Sequence, residues 1–286
     1  MINQVTVTYF TNSGFMVKAD KVLFIFDYWR GEENALPENA QITPKDFEGF
    51  ERIIVFVSHA HKDHYDDIIY TWDAEKYNIT YVISDELPKE AKGVRVKPGD
   101  VLEAPKMLVK AYPSTDTGVS FLIKYDKFNI FHAGDLNWWH WREETSSVAE
   151  INRAETEFME ACAKIEKETI HLCFFPLDPR LGIYFDSGIN YFSMVFKPKV
   201  VIPMHWGRRV DILREYAYTS HSTHTEVLPL FKPRERADIT MLKGQLNNIY
   251  VHNASVGANP KEETPEPTEE TKDPFMDSDL PVDIKE

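Results

Sequence analysis

Short runs of β-branched and aromatic residues open the chain, and such runs are typical of β-strands. Residues 5–10, 14–20 and 21–29 form three of them, and the turn-like residues TNSG separate the first two. The next run, RIIVFV at residues 52–57, is apolar almost throughout. This pattern predicts a strand that is buried on both faces of a sheet.

Further along, strand patterns alternate with helical patterns. The longest helical pattern covers residues 146–168 and places apolar residues on one stripe. Shorter helices are predicted for residues 68–77 and near Ser193. Strands are predicted for residues 79–84, 93–97, 106–112, 118–135 (a hairpin), 171–179, 199–205, 239–243 and 247–252. This alternation predicts a layered α/β domain, in which functional residues collect at the carboxyl ends of strands.

The composition changes near residue 254. Residues 260–286 contain ten acidic residues and three lysines, so this segment carries half of the formal net charge of −14. It holds too few apolar residues to offset the entropy that ordering would cost. We therefore predict a folded domain at residues 1–253 and an acidic, disordered tail at residues 254–286.

Charge and cysteine content narrow the class of protein. A net charge of −14 and an isoelectric point near 5.2 argue against a nucleic-acid-binding protein, which needs a basic surface. No apolar run reaches the length of a membrane span, and the first residues lack a signal-peptide pattern. Cys162 and Cys173 have no metal-ligand spacing and are expected to be reduced thiols. We therefore expect a cytoplasmic protein that acts on a small molecule, and we find no signal for an oligomeric state.

The motif SHAHKDH follows the apolar run at residues 52–57. It contains His59, His61, Asp63 and His64. His59 and His61 are two residues apart at a strand end, so both rings can face one side. Taken singly, Asp63 could cap a helix and His64 could be a surface histidine. Taken together, these imidazole and carboxylate groups suit zinc or another divalent first-row metal.

Three motifs in this order resemble those of the metallo-β-lactamase superfamily, and the resemblance covers most of residues 1–253. They are SHAHKDH (58–64), FHAGD (131–135) and PMH (203–205). The resemblance implies an α/β fold, a four-layer αββα sandwich with metals at one edge between two sheets. Three local segments, FFPLDPRLG, HAGDLNWWHW and PMHWG, carry a closer resemblance. They look most similar to a branch of the superfamily that includes ascorbate-6-phosphate lactonase-like hydrolases and an N-acyl-phosphatidylethanolamine phospholipase D.

The resemblance also implies a set of metal ligands. His59 and His61 would serve a first ion, and Asp63 and His64 a second ion. Asp135 would bridge the two ions, and His205 would complete the second site. Zinc is the expected ion, with manganese or iron as alternatives, and the site would hold one or two ions.

One departure from the family pattern concerns residues 111–121. The family usually supplies a further histidine there, and this segment has none. Asp116 is the best-placed substitute, with Ser114 and Thr115 behind it, while an Asx-type turn before Gly118 is the alternative. An oxygen ligand at this position would make manganese or iron more plausible.

Candidate pocket residues lie close to the metal motifs. Trp138 and His140 could line a substrate pocket or could pack on the sheet edge. Arg208 could hold an anionic group of the substrate or could be solvated. His132, three residues before Asp135, is expected to be buried behind the ligands.

The expected chemistry is hydrolysis of an ester, lactone, amide or phosphodiester. Metal ions lower the pKa of bound water and so supply hydroxide near neutral pH, and Asp63 would orient this nucleophile and then pass on a proton. A non-catalytic metal-binding protein is one alternative, although the ligand set is intact. A di-iron oxidoreductase on the same fold is the other; those relatives use Glu where His61 stands and need a flavin domain, which this sequence is expected to lack.

Overall fold

The computed structural model describes residues 2–31, 36–141, 147–220, 222 and 224–252. The predicted tail at residues 254–286 lies outside this part. The described residues form fifteen strands, in chain order β1 (Gln4–Tyr9), β2 (Phe15–Ala19), β3 (Val22–Phe26), β4 (Arg52–Val57), β5 (Ile79–Ser84), β6 (Val94–Val96), β7 (Val101–Ala104), β8 (Met107–Pro113), β9 (Val119–Tyr125), β10 (Phe128–His132), β11 (Leu172–Pro176), β12 (Val200–Met204), β13 (Glu226–Val227), β14 (Arg236–Leu242) and β15 (Gln245–His252).

The strands form two sheets. The first has the order β15-β14-β1-β2-β3-β4-β5-β6, and the second has the order β13-β12-β11-β10-β9-β8-β7. Pairing is antiparallel from β15 to β3 and from β7 to β10, and it is parallel from β3 to β6 and from β10 to β13. Each sheet thus has a block of parallel strands whose carboxyl ends share one edge.

Side chains alternate between two cores along the inner strands, because successive residues of a strand point to opposite faces. In β4, Ile54 and Phe56 belong to the core that includes the second sheet, while Ile53, Val55 and Val57 face the opposite side. The burial of both faces, predicted from residues 52–57, is therefore confirmed.

Aromatic side chains join the two sheets. The ring centroids of Phe15 and Phe174 lie 4.3 Å apart, and those of Phe56 and Phe121 lie 5.1 Å apart. Such pairs contribute about 0.5–1.5 kcal/mol each beyond the area that they bury. The metal motifs lie at the edge of this rigid interior.

Helices cover the outer faces. They are α1 (Val148–Ala163), α2 (Ser187–Phe196) and α3 (Val210–Thr219), together with 3₁₀ helices at Glu38–Ala40, Pro44–Phe47, Asp67–Thr71 and Pro179–Tyr184. Phe192 of α2 packs on Phe131 and Phe175 of the second sheet, at 4.9 and 4.7 Å between ring centroids. None of these helices is both long and apolar enough to cross a lipid bilayer.

The outer layer on the first sheet contains 3₁₀ helices in place of α-helices. Phe47 and Ile69 insert from two of them into the core on that side. The helix predicted for residues 68–77 is only the 3₁₀ helix Asp67–Thr71, which the side chain of Asp66 caps at the amide of Ile68. β-Branched and aromatic residues dominate this stretch and have low helix propensity, so the helix stays short.

Candidate metal centre

Five strand ends supply the residues of the site. Asp27 follows β3, His59 follows β4, Asp135 follows β10, Asp178 follows β11 and His205 follows β12. The parallel pairing of β3 with β4, and of β10 with β11 and β12, places these ends along one edge of each sheet. The edge used is the one at which α/β folds collect functional residues.

The carboxylate of Asp135 is the centre of the arrangement. Its Oδ2 atom lies 3.2 Å from His59 Nε2, while its Oδ1 atom lies 3.1 Å from His64 Nε2 and 3.5 Å from His205 Nε2. The two oxygens therefore face different sets of imidazole rings.

We assign His59, His61, Asp116 and the Oδ2 atom of Asp135 to a first group of donors; the donor atoms of His59, His64 and Asp135 also lie within 4.8 Å of one another. His61 Nδ1 lies 3.6 Å from Asp116 Oδ2 and 3.9 Å from Asp135 Oδ2. The donor atoms of His61, Asp116 and Asp135 all lie within 4.8 Å of one another. The carboxylate of Asp116 accepts no hydrogen bond from a described backbone amide, so the structure shows no Asx turn there.

The second group consists of Asp63, His64, His205 and the Oδ1 atom of Asp135. Asp63 Oδ2 lies 3.3 Å from His205 Nε2 and 3.7 Å from His64 Nε2. The side chain of Asn12 donates a hydrogen bond of 3.0 Å to the same oxygen of Asp63. The donor atoms of Asp63, His64 and His205 all lie within 4.8 Å of one another.

Four atoms at this centre are buried and make no hydrogen bond to any described residue. They are His59 Nε2, His64 Nε2, His205 Nε2 and Asp135 Oδ1. Buried polar atoms are nearly always hydrogen-bonded, so a convergent set without partners indicates a missing ligand. Three imidazole nitrogens around one carboxylate group are the ligand types that divalent first-row metals prefer, and the residues present therefore fit such an ion.

A buried aspartate behind the ligands orients rings of both groups. Asp27 Oδ2 lies 2.8 Å from His64 Nδ1 and accepts a 2.6 Å hydrogen bond from Ser58 Oγ. Ser58 Oγ in turn lies 2.9 Å from His59 Nδ1. A carboxylate at His64 Nδ1 keeps the proton on that nitrogen and leaves the Nε2 lone pair facing the site.

Asp178 does the same for His205. Its Oδ2 atom lies 2.9 Å from His205 Nδ1. The sequence prediction missed Asp27, Ser58 and Asp178 as supporting residues. Their position in the sequence could have indicated Asp27 and Asp178. Asp27 follows the apolar run FIF and Asp178 follows FFPL, so both come directly after predicted strands, as the proposed ligands do.

The backbone near the site adopts unusual conformations. His205 has φ of 64° and Asp27 has φ of 39°, in the left-handed region that non-glycine residues rarely adopt. Gly118 and Gly134 also have positive φ, and a Cβ atom at these positions would lie 2.0 Å from Ser58 O and 2.9 Å from Ser58 Cβ. These two glycines allow the chain to press against the start of the histidine motif.

Opposite charges control the protonation of the donors in the protein without metal. Burial raises the pKa of Asp135, but the positive rings of His64 and His205 lower it further, so it lies well below its usual range. Burial lowers the pKa of His205, but Asp135, Asp178 and Asp63 raise it to about 9. A metal ion would therefore compete with protons for these rings.

An open cleft of two arms leads to the centre. The first, here the tryptophan arm, has a volume of about 390 Å³ and includes Trp139 and Trp141 in its wall. The second, here the Arg208 arm, has a volume of about 420 Å³ and includes Trp29 and Arg208. The residues common to both arms are Asp63, Arg180 and His205.

The wall of the cleft bears on the alternatives left open for Trp138, His140 and Arg208. Arg208 lines its arm, but Trp138 and His140 line neither arm. Trp138 packs on Phe158 of α1 and His140 packs on Tyr184. The cleft instead uses Trp139 and Trp141, whose indole rings stack with centroids 5.4 Å apart.

No protein-family model and no curated protein matches the chain. Solved structures with a similar fold include the metallo hydrolase Igni18 from Ignicoccus hospitalis, with 20% identity, a TM-score of 0.57, and coverage of 82% of this chain and 98% of that chain. The metallo-β-lactamase fold protein YhfI from Bacillus subtilis has 15% identity, a TM-score of 0.51 and coverage of 82% and 99%. The diiron β-hydroxylase CmlA from Streptomyces venezuelae has 12% identity, a TM-score of 0.50 and coverage of 84% and 55%.

These similarities show that the chain has the metallo-β-lactamase fold. The four-layer α/β sandwich predicted from the sequence is thereby confirmed. The closer resemblance to lactonase-like and phospholipase-like proteins stays a prediction.

Proposed function

We propose that this protein is a metal-dependent hydrolase that cleaves an ester, lactone or phosphodiester bond of a small molecule. The observation that carries the proposal is the convergence of four buried donor atoms without hydrogen-bond partners, at the end of an open cleft. Igni18, which has the same fold, is described as a metallo hydrolase, and this supports the assignment of reaction class.

The two donor groups divide the proposed ligands. His59, His61 and Asp116 would hold one ion, Asp63, His64 and His205 would hold the other, and Asp135 would be shared. Zinc is the ion that we expect, while the carboxylate of Asp116 makes manganese or iron an alternative in the first group. A bound divalent ion would lower the pKa of a coordinated water and polarise the bond to be cleaved.

Asp63 is the residue that we propose to carry the proton. Its Oδ2 atom faces His64 and His205, whereas its Oδ1 atom makes no hydrogen bond to a described residue. Burial raises the pKa of Asp63, but contacts with His205 and His64 lower it well below its usual range, so the carboxylate is ionised at neutral pH. The ionised Oδ1, which has no hydrogen-bond partner among the described residues, would accept a proton from the attacking water and return it to the leaving group.

The fold comparison supports a second candidate, a di-iron oxidoreductase, because CmlA is described as a diiron β-hydroxylase. The carboxylate of Asp116 within the first group is compatible with iron. Iron in the purified protein together with oxygen uptake would favour this candidate over a hydrolase.

The decisive experiment compares Asp63→Asn with the wild type in metal content and kcat. We expect the variant to retain metal through the remaining ligands, while kcat on the best ester or phosphodiester substrate falls about 10²–10⁴-fold. Asp67→Asn, an exposed neighbour outside both groups, is the matched control and should keep both properties. Full activity in Asp63→Asn would refute the assigned role, and wild-type protein that takes up no metal would refute the function.

A further inference from the structure

Arg180 occupies the junction of the two arms of the cleft. It lines both of them, beside Asp63 and His205, and its side chain is 59% exposed. It belongs to the 3₁₀ helix Pro179–Tyr184, directly after the strand end that supplies Asp178. No role is assigned to Arg180 in the proposed hydrolysis.

The guanidinium of Arg180 is held in one place on two sides. Its Nε atom lies 3.0 Å from each oxygen of Asp178, and its Nη2 atom lies 2.5 Å from Asp178 Oδ2. Its Cζ atom lies 5.4 Å from the ring centroid of Trp141 and 6.0 Å from that of Trp139. The two indole rings are stacked in parallel, with centroids 5.4 Å apart. Little conformational freedom is left to lose on binding a ligand.

The remaining face of the guanidinium is available to the cleft. Nη1 makes no hydrogen bond to any of the described residues, so its two N–H groups have no partner in that part of the chain. A planar, permanently charged donor of this kind pairs best with a carboxylate or a phosphate. Arg153 also lines the tryptophan arm, but it is more exposed and is paired with Glu157 on the surface of α1.

We propose that Arg180, supported by Trp139 and Trp141, forms a subsite for an oxyanion on the substrate. The substrate would then carry a carboxylate or phosphate group in addition to the bond that is cleaved. This inference rests on the proposed hydrolase function, since it assigns a substrate class to the same cleft.

The competing explanation is that Arg180 only positions Asp178 and, through it, His205. Asp178 accepts hydrogen bonds from both Arg180 and His205, so a change at Arg180 could reach the ligands through Asp178. A positioning role would lower activity equally on charged and neutral substrates. An anion subsite would lower activity on charged substrates alone.

The test uses Arg180→Gln with two esters that share a leaving group, 4-nitrophenyl acetate and 4-nitrophenyl hemisuccinate. The amide of Gln keeps a donor for Asp178 but removes the charge. We expect KM for the hemisuccinate to rise about 10-fold or more, the effect of losing a charge-assisted hydrogen bond, with the acetate changed less than about twofold. Replacing the carboxylate of this ester by a phosphonate distinguishes the two oxyanions.

Arg209→Gln is the matched control. Arg209 pairs with Asp211 in nearly the same geometry, at 2.9 and 3.1 Å from Nε and 2.7 Å from Nη2, but it lines neither arm. This variant should leave both esters unaffected. A parallel loss on both esters in Arg180→Gln, or no loss on either, would overturn the subsite.

If the wild type cleaves neither ester, that result counts against the proposed function alone. A second measurement then tests the anion subsite without catalysis. Iodide, an anion, and acrylamide, which is neutral, both quench tryptophan fluorescence. We expect the ratio of iodide to acrylamide quenching to fall in Arg180→Gln and not in Arg209→Gln, because Trp139 and Trp141 lie against Arg180. Equal ratios in the three proteins would overturn the subsite.

Discussion

The two donor groups share Asp135 but differ in how the surrounding chain supports them. In the second group, His64 and His205 are buried, and each ring has a carboxylate behind it at 2.8 or 2.9 Å. In the first group, His61 and Asp116 are 49% and 45% exposed, and only His59 has a support, the hydroxyl of Ser58. The rings of the second group are therefore held in place by the protein itself, whereas the exposed side chains of the first group would lose freedom on binding an ion.

This difference has an energetic consequence. Ordering an exposed side chain opposes binding through lost rotamer entropy, and a ring without a second hydrogen bond has no fixed tautomer. We expect the second group to bind an ion more tightly and the first group to exchange its ion more readily. Four predictions test this comparison.

The largest effect is expected for Asp135→Asn, because this residue is common to both groups. The amide removes the shared charge and places a donor against imidazole nitrogens, so both ions should be lost and activity should become undetectable. His61→Ala, which touches the first group alone, should lose one ion. Elemental analysis of both proteins measures this, and two ions bound to Asp135→Asn would contradict the shared carboxylate.

Asp27→Asn should strongly weaken the second group. The backbone amide of Ser58 donates to Asp27 Oδ1 at 2.8 Å, so the oxygen of the Asn side chain must stay there. Its NH₂ group then faces His64 Nδ1, which moves the ring proton to Nε2 and blocks metal binding.

We expect Asp27→Asn to cost about 10–100-fold in affinity for the tighter ion, measured by competition with a chelator. Asp20→Asn, an exposed turn residue after β2, is the control and should have no effect. Unchanged affinity in Asp27→Asn would show that the ring orientation does not depend on this carboxylate.

Asp116→Ala should affect only the first group. Occupancy of the weaker ion should fall by about 10-fold or more, and excess manganese should partly restore activity, because mass action refills a weakened site. Glu103→Ala, at an exposed position of β7, is the control. Retention of all metal and all activity in Asp116→Ala would remove this residue from the ligand set.

The smallest effect is the pH dependence of stability in the metal-free protein. The pKa of His205 in the folded protein is raised to about 9 from an ordinary value of 6.5. Its protonated ring therefore stabilises the fold fully below pH 6.5, and this contribution is lost as the pH rises through 9. Calorimetry in the presence of a chelator should show the melting temperature falling over this interval, because the folded protein holds a proton that the unfolded chain has already released. Zinc-loaded protein should show a smaller change, and a flat profile without metal would refute the raised pKa.

Much of the site could be predicted from the sequence because its ligands are local. His59, His61, Asp63 and His64 lie within six consecutive residues of the loop and turn that follow β4, so their side chains are close in the chain. The resemblance to the metallo-β-lactamase motifs then adds Asp135 and His205, and each of these residues follows an apolar run. The supporting residues could not be ranked in this way, since many aspartates follow apolar runs and only their position relative to the rings selects Asp27 and Asp178.

The residues that line the cleft could not be predicted from the sequence either. Four aromatic residues stand in a row at positions 138–141, and composition does not distinguish those that face the cleft from those that face α1. The structure places Trp139 and Trp141 in the wall and packs Trp138 on Phe158. Tertiary packing decides this, because Trp138 packs on Phe158 of α1 while Trp139 and Trp141 stack on each other.

By itself, the sequence determined most of the strands, the layered α/β fold and the residue types proposed as ligands, because hydrophobic periodicity and short motifs act over a few residues. The tertiary structure alone decided three other features: the pairing of Asp116 with His61, the support of His64 by Asp27, and the place of Arg180 at the junction of the arms. Each of these three features brings together residues that are distant in the chain or that lie on opposite sides of the cleft. Such meetings are set by the order and direction of the strands in two packed sheets, which no local pattern encodes.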